Sequence, residues 1–176
     1  MRESITIVLS GEAGQGLQTV EEFLVETLTR ETYVFSSKEV MSRVRGGNNS
    51  VEIRLSNTPI QALRYTIDLL FLFNDHALSR LMPRLTSDTV IYGEEPFLKS
   101  VPEGYKTKAV AFLDLAKQAG NRLYENTAMF GYIAGMVDAS QENAKTVIRK
   151  RFGKRGEKVV NGNLTVKGKT NPVSFP

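Results

Sequence analysis

The stretch Ile5-Thr-Ile-Val-Leu-Ser10, followed by Gly11-Glu-Ala-Gly-Gln-Gly16, carries the strongest fold signal in the sequence. The continuous apolar run predicts a buried strand, and the glycines predict a turn that opens a helix. The apolar residues after the turn recur at helical spacing: Leu17, Val20, Phe23, Leu24 and Leu28. The glycine loop is therefore expected at a helix N-terminus, where free backbone N–H groups and the helix dipole attract anions.

The glycine spacing leaves two interpretations of this loop open. It reads G-x-x-G-x-G, whereas the dinucleotide fingerprint is G-x-G-x-x-G and the P-loop closes with Gly-Lys-Ser/Thr. Leu17 stands where a P-loop needs lysine, so nucleotide hydrolysis is not expected. Glu39 follows the predicted second strand, Thr32–Ser37, near the place of a ribose-binding acid. The glycines either cradle an anion or only permit a tight turn.

A second glycine-containing segment, Met41-Ser-Arg-Val-Arg-Gly-Gly-Asn-Asn-Ser50, carries two arginines. Arg43 and Arg45 precede two glycines that allow an unusual backbone path. The following Val51-Glu-Ile-Arg-Leu55 alternates apolar and charged residues, which predicts a half-buried strand. Guanidinium groups in such a loop can hold a phosphate or a carboxylate in bidentate fashion. The alternative is a solvated turn with two exposed cations.

Length and composition predict one globular domain, and they exclude several kinds of site. The 176 residues, 41% of them hydrophobic, suffice for one core. Because the sequence has no cysteine, the chain can hold neither a thiolate-ligated iron–sulfur cluster nor a disulfide. The single histidine, His76, cannot form a histidine-rich metal site, and we read it as a surface residue behind a helix-capping Asp75.

No segment of the sequence approaches the length of a membrane span, since the longest apolar run is Leu69–Phe73. Met1-Arg-Glu-Ser4 leads directly into the first predicted strand, so we expect no signal peptide and a cytoplasmic location. The net charge of +4 is concentrated near the C-terminus, where residues 149–176 contain eight Lys/Arg and only Glu157. With few aromatic residues among these cations, nucleic-acid binding is not expected. Arg149, Lys150 and Arg151 complement the C-terminal dipole of a helix, and the cations from Lys154 to Lys169 belong either to a solvated tail or to a partner contact.

The rest of the chain alternates predicted strands and helices. The predicted strands are Ile67–Phe73, Thr89–Tyr92 and Thr107–Phe112, and the predicted helices begin near Asp75, Asp114, Asn126 and Ser140. Asp75 and Asn126 stand where N-caps belong. This alternation predicts an α/β fold, a three-layer α/β/α sandwich with a Rossmann-like first βα unit. The alternating strand after Gly47 predicts a mixed, mostly parallel sheet.

Together these segments resemble the gamma subunit or gamma domain of 2-oxoacid:ferredoxin oxidoreductases. The segments that carry the resemblance are Gly11–Gly16, Tyr33–Phe35, Met41–Gly47, Glu52–Ser56, Ile67–Phe73, Asn126–Gly131 and Val147–Phe152. The form Ser-Arg-x-Arg-Gly-Gly-x-Asn looks most like the domain fused ahead of the pyrimidine domain in 2-oxoglutarate-type alpha subunits. The resemblance implies a gamma-type domain over residues 1–165, with 166–176 as a C-terminal tail or linker.

The resemblance also implies a function. The chain would be a non-thiamine-binding component of an enzyme that oxidatively decarboxylates pyruvate, 2-oxoglutarate or 2-ketoisovalerate to an acyl-CoA. Its partners would be thiamine-binding alpha and beta subunits or domains in a larger oligomer, with ferredoxin contacted indirectly. Thiamine diphosphate, Mg and the iron–sulfur clusters would lie on those partners, and coenzyme A would be the co-substrate. No catalytic or metal-ligating residue is expected here, so the isolated chain should be inactive; the alternative is an independent dinucleotide-binding oxidoreductase domain.

The predicted contact residues belong to the glycine loop and the arginine segment. They are Gly14, Gln15, Gly16, Ser42, Arg43, Arg45, Gly46 and Gly47. Both segments are expected at the carboxyl edge of the sheet, where ligands gather in open α/β folds. There they would meet either coenzyme A phosphates or an acidic partner surface.

Overall fold

The computed structural model describes residues 4–41, 47–118, 121, 124–155 and 160–162. The chain divides into two compact units. The first is built from the described residues of 1–18 and 32–111, and the second from those of 19–31 and 112–176. The sheet and the predicted glycine and arginine segments belong to the first unit.

Within its described residues, the first unit contains one six-stranded sheet. The strands are β1 (Ser4–Glu12), β2 (Tyr33–Glu39), β3 (Asn48–Ser56), β4 (Ile67–Leu72), β5 (Leu85–Gly93) and β6 (Lys106–Ala109). Their order across the sheet is β2-β3-β1-β4-β5-β6. β3 runs antiparallel to both β1 and β2, and the remaining neighbours are parallel. The predicted α/β class with a mixed, mostly parallel sheet is confirmed.

The central strands are apolar in sequence and are buried on both faces of the sheet. Every residue of β4 is buried, as the continuous apolar run Ile67–Leu72 predicts. On one face the strands pack against α2 (Leu78–Leu81), which continues as a 3-10 turn, Met82–Arg84. This core cluster comprises Val8, Ile67, Leu70, Leu72, Ala77, Leu78, Leu81 and Ile91. Burying each of these leucines contributes roughly 1.5–3 kcal/mol.

The strand order places three chain segments at one edge of the sheet. β1 and β4 are parallel neighbours, so the turn after Glu12 and the segment after Leu72 lie at the same edge. β3 runs the other way, and its first residue, Asn48, pairs with Glu12. In the strand order, the chain continues from β1 to β2 on one flank of the β1–β4 pair, and from β4 to β5 on the other flank. The edge where β1 and β4 end is therefore a topological switch point. We call it the carboxyl edge.

The second unit is helical in its described residues. It contains α1 (Leu17–Leu28) from its third residue onward, α4 (Phe112–Gln118), α5 (Glu125–Met136) and α6 (Gln141–Phe152). Phe23 packs edge-on against Phe130 and Phe152, with ring centroids 5.3 and 5.9 Å apart. Ser140 caps α6 by accepting a hydrogen bond from Asn143 N, so the helix predicted from this residue is confirmed.

The basic residues in the last turn of α6 form ion pairs with residues of α1 in the second unit. Lys150 Nζ lies 2.5 Å from Glu26 Oε1, and Arg151 lies 3.7 Å from Glu22. These exposed pairs contribute little stability, but they give the first cations of the basic end a local role. The predicted tail, residues 166–176, lies outside the described residues. In the described part of the chain, no helix is both long and apolar enough to cross a membrane.

Two predicted helix caps are wrong. The residue that caps α2 is Ala77, and the Asp75 carboxylate instead accepts a hydrogen bond from the Ser100 hydroxyl. α5 begins at Glu125 behind Tyr124, so Asn126 lies inside the first helical turn. A cap residue is chosen by the path of the chain entering the helix, which tertiary contacts decide.

Two further boundaries differ from the sequence-based expectation. β6 ends at Ala109, and Phe112, predicted as the end of that strand, opens α4 and is buried. The loop predicted after Gly93 contains a short helix, α3 (Glu95–Leu98), with a proline in its first turn.

Candidate functional site

The glycine turn after β1 depends on its glycines. Gly14 and Gly16 have positive φ angles of 96° and 85°, which side-chain-bearing residues rarely adopt. A Cβ atom at Gly11 would lie 2.6 Å from Gln15 Oε1 and 2.7 Å from Phe73 Cβ. The turn can therefore close against the end of β4 only because Gly11 has no side chain. Beside Gly14 there is open space, which leaves the backbone accessible.

The Gln15 side chain fastens this turn to β4. Its Oε1 accepts hydrogen bonds from Glu12 N at 2.6 Å and from Asn74 Nδ2 at 3.2 Å. Its Nε2 donates to Phe73 O at 3.4 Å. Because the carboxamide is engaged on both sides, a ligand at this loop would be left with the backbone groups beside Gly14 and Gly16. Gln15 thus shapes the loop, and a ligand contact from its side chain would break these bonds.

The electrostatics of the turn come from α1 and from a carboxylate–imidazole pair. The first turn of α1 contains no acidic residue, so no side-chain carboxylate offsets the positive end of its dipole there. Glu12, just before the turn, lies 3.1 Å from His76 Nδ1, and both side chains are about half exposed.

The start of β3 is anchored at the same edge. Asn48 is 5% exposed, and its Nδ2 donates to Ser10 Oγ at 3.0 Å. Its Oδ1 is buried, with no hydrogen-bond partner among the described residues. Arg80, on α2, donates to Asn48 O and to Ser50 Oγ, both at 3.4 Å, and forms an ion pair with Glu39. Arg80 thus ties the last residue of β2 to the first residue of β3.

Burial lowers the pKa of Arg80, and the neighbouring Arg84 lowers it further. An arginine starts from so high a pKa that it remains charged at neutral pH. The Arg80–Glu39 pair therefore persists as a charged clamp at the base of the arginine segment.

The structure brings together only some of the predicted contact residues. Gly14, Gln15 and Gly16 lie in the turn after β1, and Gly47 directly precedes Asn48 at the same edge. The predicted residues Ser42, Arg43, Arg45 and Gly46 lie outside the described residues. Among the described residues, the parts of the two segments that lie at the carboxyl edge are therefore the glycine turn and Gly47.

The sequence analysis missed three residues of this edge: Asn48, Asn74 and Arg80. Asn74 had a usable signal, because a polar residue directly after a buried strand lies at a carboxyl edge. Asn48 and Arg80 had none, since their contacts depend on β3 lying beside β1 and on α2 crossing the sheet face.

The geometry argues against the dinucleotide interpretation of Glu39. In the dinucleotide fold the acidic residue ends a strand directly beside β1. Here β3 separates β2 from β1, which places Glu39 two strand spacings, about 10 Å, away. Its carboxylate is also engaged by Arg80.

Two other features of the described residues concern metal binding and cavities. Among these residues, no group of three or more His, Asp or Glu side chains could hold a metal ion. A cavity of about 560 Å³ lies at the opposite edge of the sheet. The residues that line it are all of polar or charged types and include both signs of charge: Ser4, Arg54, Arg64, Thr66, Asp68, Thr86 and Asp88. Ligand sites are usually mostly apolar, so this hollow has the character of hydrated surface.

The fold and the carboxyl edge define an α/β protein with a strand–turn–helix at its switch point. A family model described as pyruvate ferredoxin/flavodoxin oxidoreductase matches residues 6–168. Because the match covers most of the sequence, the chain belongs to this family. Among proteins with curated annotation, none gives a significant sequence match.

Solved structures of such oxidoreductases share the fold. A 2-oxoglutarate:ferredoxin oxidoreductase from Magnetococcus marinus, with 2-oxoglutarate, coenzyme A and succinyl-CoA bound, superposes with a TM-score of 0.84 at 22% identity over 97% of this chain. This chain spans only 31% of that longer one. Two separate subunits are matched over nearly their whole length.

The first of these is a keto/oxoacid ferredoxin oxidoreductase gamma subunit from Geobacter sulfurreducens, with a TM-score of 0.73 and 19% identity over 94% of this chain and 97% of that one. The second is the pyruvate oxidoreductase subunit PORC from Thermotoga maritima, with a TM-score of 0.77 and 21% identity over 96% of each chain. The same fold therefore occurs both as part of a longer chain and as a separate subunit.

Proposed function

We propose that this chain is the gamma-type, non-thiamine-binding component of a 2-oxoacid:ferredoxin oxidoreductase. The whole enzyme would oxidatively decarboxylate a 2-oxoacid to an acyl-CoA and pass electrons to ferredoxin. The observation that carries the proposal is the family match over residues 6–168, and the shared fold of separate gamma-type subunits supports it. The proposed domain extends over residues 1–165, and the proposed location is the cytoplasm.

The division of labour in this proposal follows from the side chains of the sequence. Iron–sulfur clusters need cysteine ligands, and this chain has none. The clusters are therefore assigned to partner subunits or domains. The family resemblance, and not the lack of cysteine, assigns thiamine diphosphate and Mg to thiamine-binding alpha and beta partners. This chain contributes subunit contacts and part of the coenzyme A site.

The carboxyl edge is the proposed meeting point with coenzyme A or with the partner surface. The glycine turn offers backbone N–H groups and the positive end of α1, the features that bind phosphate at helix N-termini. Arg43 and Arg45 belong to the connection between β2 and β3, whose ends Arg80 ties together. Their guanidinium groups would complement either phosphates or carboxylates.

The first test compares the activity of the isolated chain with that of the complex. The purified chain is assayed with pyruvate or 2-oxoglutarate, coenzyme A, thiamine diphosphate and a viologen dye, beside the complex purified through a tag on this chain. We expect dye reduction by the complex and none by the chain alone. Sustained turnover by the isolated chain would contradict the proposal, and tight binding of NAD(H) to it would favour an independent dinucleotide-binding domain.

The second test concerns the arginines of the β2–β3 connection. Because the sequence predicts Arg43 and Arg45 in a loop, Arg43→Ala with Arg45→Ala should change the free energy of unfolding by less than ~0.5 kcal/mol. In the complex we expect either a higher KM for coenzyme A or weaker assembly. The matched control is Arg149→Ala, an exposed arginine on α6. If the double variant behaves like this control in both measurements, the arginines have no role at the site.

A further inference from the structure

The glycine turn after β1 has few side chains of its own to hold it. Of residues 11–16, three are glycines and one is alanine, so Glu12 and Gln15 carry the only polar side chains. Gly14 and Gly16 have positive φ angles, and a glycine backbone can adopt many other conformations. A turn of this composition keeps a single shape only if contacts with other segments hold it.

A closed ring of side-chain contacts holds this turn. Gln15 Oε1 accepts hydrogen bonds from Glu12 N at 2.6 Å and from Asn74 Nδ2 at 3.2 Å. The other end of the Asn74 carboxamide, Oδ1, accepts a hydrogen bond from His76 N at 3.1 Å. His76 Nδ1 lies 3.1 Å from Glu12 Oε1, and this contact closes the ring. We call these four residues the turn ring.

The turn ring connects the chain that leaves β1 with the chain that leaves β4. Glu12 is the last residue of β1, whereas Asn74 and His76 follow the end of β4. Asn74 is the buried member of the ring, with 7% of its surface exposed, and both ends of its carboxamide are used. Through Asn74, the segment after β4 therefore helps to fix Gln15, and Gln15 fixes the path of the turn.

A second feature of the carboxyl edge is the carboxamide of Asn48. Asn48 pairs in register with Glu12, so the two side chains lie on the same face of the sheet. Asn48 is 5% exposed, and its Nδ2 donates to Ser10 Oγ at 3.0 Å. Its buried Oδ1 has no hydrogen-bond partner among the described residues. Because buried polar atoms are nearly always hydrogen-bonded, this one indicates that a bound group completes the edge beside the turn ring.

The turn ring has the arrangement of a supporting shell around a binding segment. A loop that is already held in its bound shape binds more tightly, because less conformational freedom is lost on binding. Side chains that lock such a segment from behind supply this preorganisation. The polar groups of the ring contact one another, while open space beside Gly14 leaves the backbone of the turn accessible. The ring would thus act on a ligand through the shape of the turn.

We propose that Asn74 is a positioning residue for the binding of coenzyme A phosphate at the glycine turn. Asn74 fixes Gln15, and Gln15 fixes the backbone groups beside Gly14 and Gly16 that receive the phosphate. This inference rests on the proposed function, and it names a residue that shapes the site. Because Asn74 acts through Gln15, its loss changes the affinity for coenzyme A and leaves the chemistry on the partner subunits or domains unchanged.

The experiment uses the complex purified through a tag on this chain. Asn74→Ser keeps an acceptor for His76 N, since a serine hydroxyl forms the same local turn, but it is too short to reach Gln15. We expect the KM for coenzyme A to rise about fivefold or more, the effect of losing roughly one hydrogen bond. The kcat and the KM for the 2-oxoacid should stay within about twofold of the wild type, because neither depends on the shape of the turn.

The matched control is Thr89→Val, a change of similar size at the opposite edge of the sheet. It removes the buried hydrogen bond that Thr89 Oγ1 donates to Ile67 O at 2.6 Å. This variant should lower the midpoint of thermal unfolding and leave the KM for coenzyme A unchanged. It shows what the loss of a purely structural hydrogen bond does to the complex.

A double-variant cycle separates positioning from direct contact. In a chain that already carries Gln15→Ala, Asn74→Ser should have no further effect on the KM for coenzyme A, because the residue through which Asn74 acts is gone. Gln15→Ala alone should raise this KM at least as much as Asn74→Ser does, which keeps the test decisive if Asn74→Ser does not fold. An unchanged KM in Gln15→Ala, or effects of the two changes that multiply, overturns the proposal.

The remaining outcomes distinguish this inference from the proposed function. If Asn74→Ser lowers kcat and the unfolding midpoint at an unchanged KM for coenzyme A, Asn74 is a structural residue like Thr89, and the inference alone is overturned. If the variant recovers less of the thiamine-bearing component at an unchanged KM, the turn meets a partner surface, which also overturns the inference. If the wild-type complex shows no turnover that depends on coenzyme A, the proposed function fails and the inference fails with it.

Discussion

The two edge strands of the sheet are built in opposite ways. β6 exposes all four of its residues, among them Lys106 and Lys108, and carries no exposed large hydrophobic side chain. β2 exposes Tyr33 and Phe35. Lysines on an edge strand discourage pairing with another chain, whereas exposed aromatic residues on an edge invite it. The contrast is that β6 carries the lysines that protect a sheet edge, whereas β2 carries exposed aromatic residues.

The parts of the sheet next to the two edge strands, β4 and β5 beside β6 and β3 beside β2, are also stabilised differently. Behind β6, the sheet face around β4 and β5 is covered by apolar side chains of α2 and of the segment after β5. Behind β2, the same face carries the buried polar residues Asn48, Ser50 and Glu52, which accept hydrogen bonds from Arg80 of α2 and Arg84 of its 3-10 turn. The β2 side of the sheet thus depends on ion pairs in place of apolar packing.

The largest expected effect comes from removing the buried ion pair behind β2. In Arg84→Met, Glu52 loses its partner while its side chain stays 10% exposed. Leaving a buried charge uncompensated costs ~3–5 kcal/mol. We expect the midpoint of thermal unfolding to fall by roughly 6–20 °C, since about 1 kcal/mol corresponds to 2–4 °C for a chain of this size.

The double variant Arg84→Met with Glu52→Leu is the matched control. Replacing both charges by apolar groups is often close to neutral, so it should recover most of the lost stability. If Arg84→Met alone unfolds like the wild type in urea, the pair contributes nothing, and the contrast between the two regions is not one of energetics.

A smaller effect is expected at the clamp between β2 and β3. Arg80→Met removes the ion pair with Glu39 and two weaker hydrogen bonds to β3, at a cost of about 1–2 kcal/mol. Arg80→Lys keeps the charge but loses the forked geometry, so it should recover only part of the stability in urea unfolding. Equal stability of Arg80→Lys and the wild type would show that the charge alone suffices.

Strand β3 shows how far sequence patterns predict this fold. The alternation in Val51-Glu-Ile-Arg-Leu55 correctly indicates a strand and a mixed sheet. The prediction that this strand is half buried is wrong, because Glu52 is only 8% exposed and lies under Arg84. A strand that is polar on one face normally turns it to water, and nothing local reveals an arginine 32 residues away that covers it.

At the carboxyl edge, too, some features could be predicted from the sequence and others could not. The glycine turn was predictable, because an apolar strand followed by Gly11, Gly14 and Gly16 specifies a backbone that few other residues adopt. The roles of Gln15 and Asn74 were not, since their hydrogen bonds require β4 to lie beside β1. Strand order is a non-local property, and it decides which polar residues meet.

Giving β6 the apolar character of β2 tests the contrast between the two edge strands directly. Lys106→Val with Lys108→Tyr gives β6 an apolar edge like that of β2. We expect a change in unfolding free energy of about 0.5 kcal/mol or less, because both positions are exposed. Sedimentation velocity should nevertheless show concentration-dependent self-association that the wild-type chain lacks at the same concentration. If no association appears, lysines are not what protects this edge.

The smallest expected effect is a change in pH dependence on the β6 side. The Ser100 hydroxyl, just after α3, donates to the Asp75 carboxylate after β4 and lowers the pKa of Asp75 below its ordinary 3.8. A lowered pKa in the folded state means that this contact stabilises the fold above the unfolded pKa, and that the contribution is lost as the pH falls through the folded pKa. Ser100→Ala removes the largest cause of the shift. The variant should therefore be slightly less stable than the wild type at about pH 7, and the gap should be narrower at about pH 3, below the ordinary 3.8. Thermal unfolding at both pH values, beside the exposed control Ser79→Ala on α2, measures this gap. A gap that persists unchanged in acid would mean that Ser100 acts through packing and not through the carboxylate.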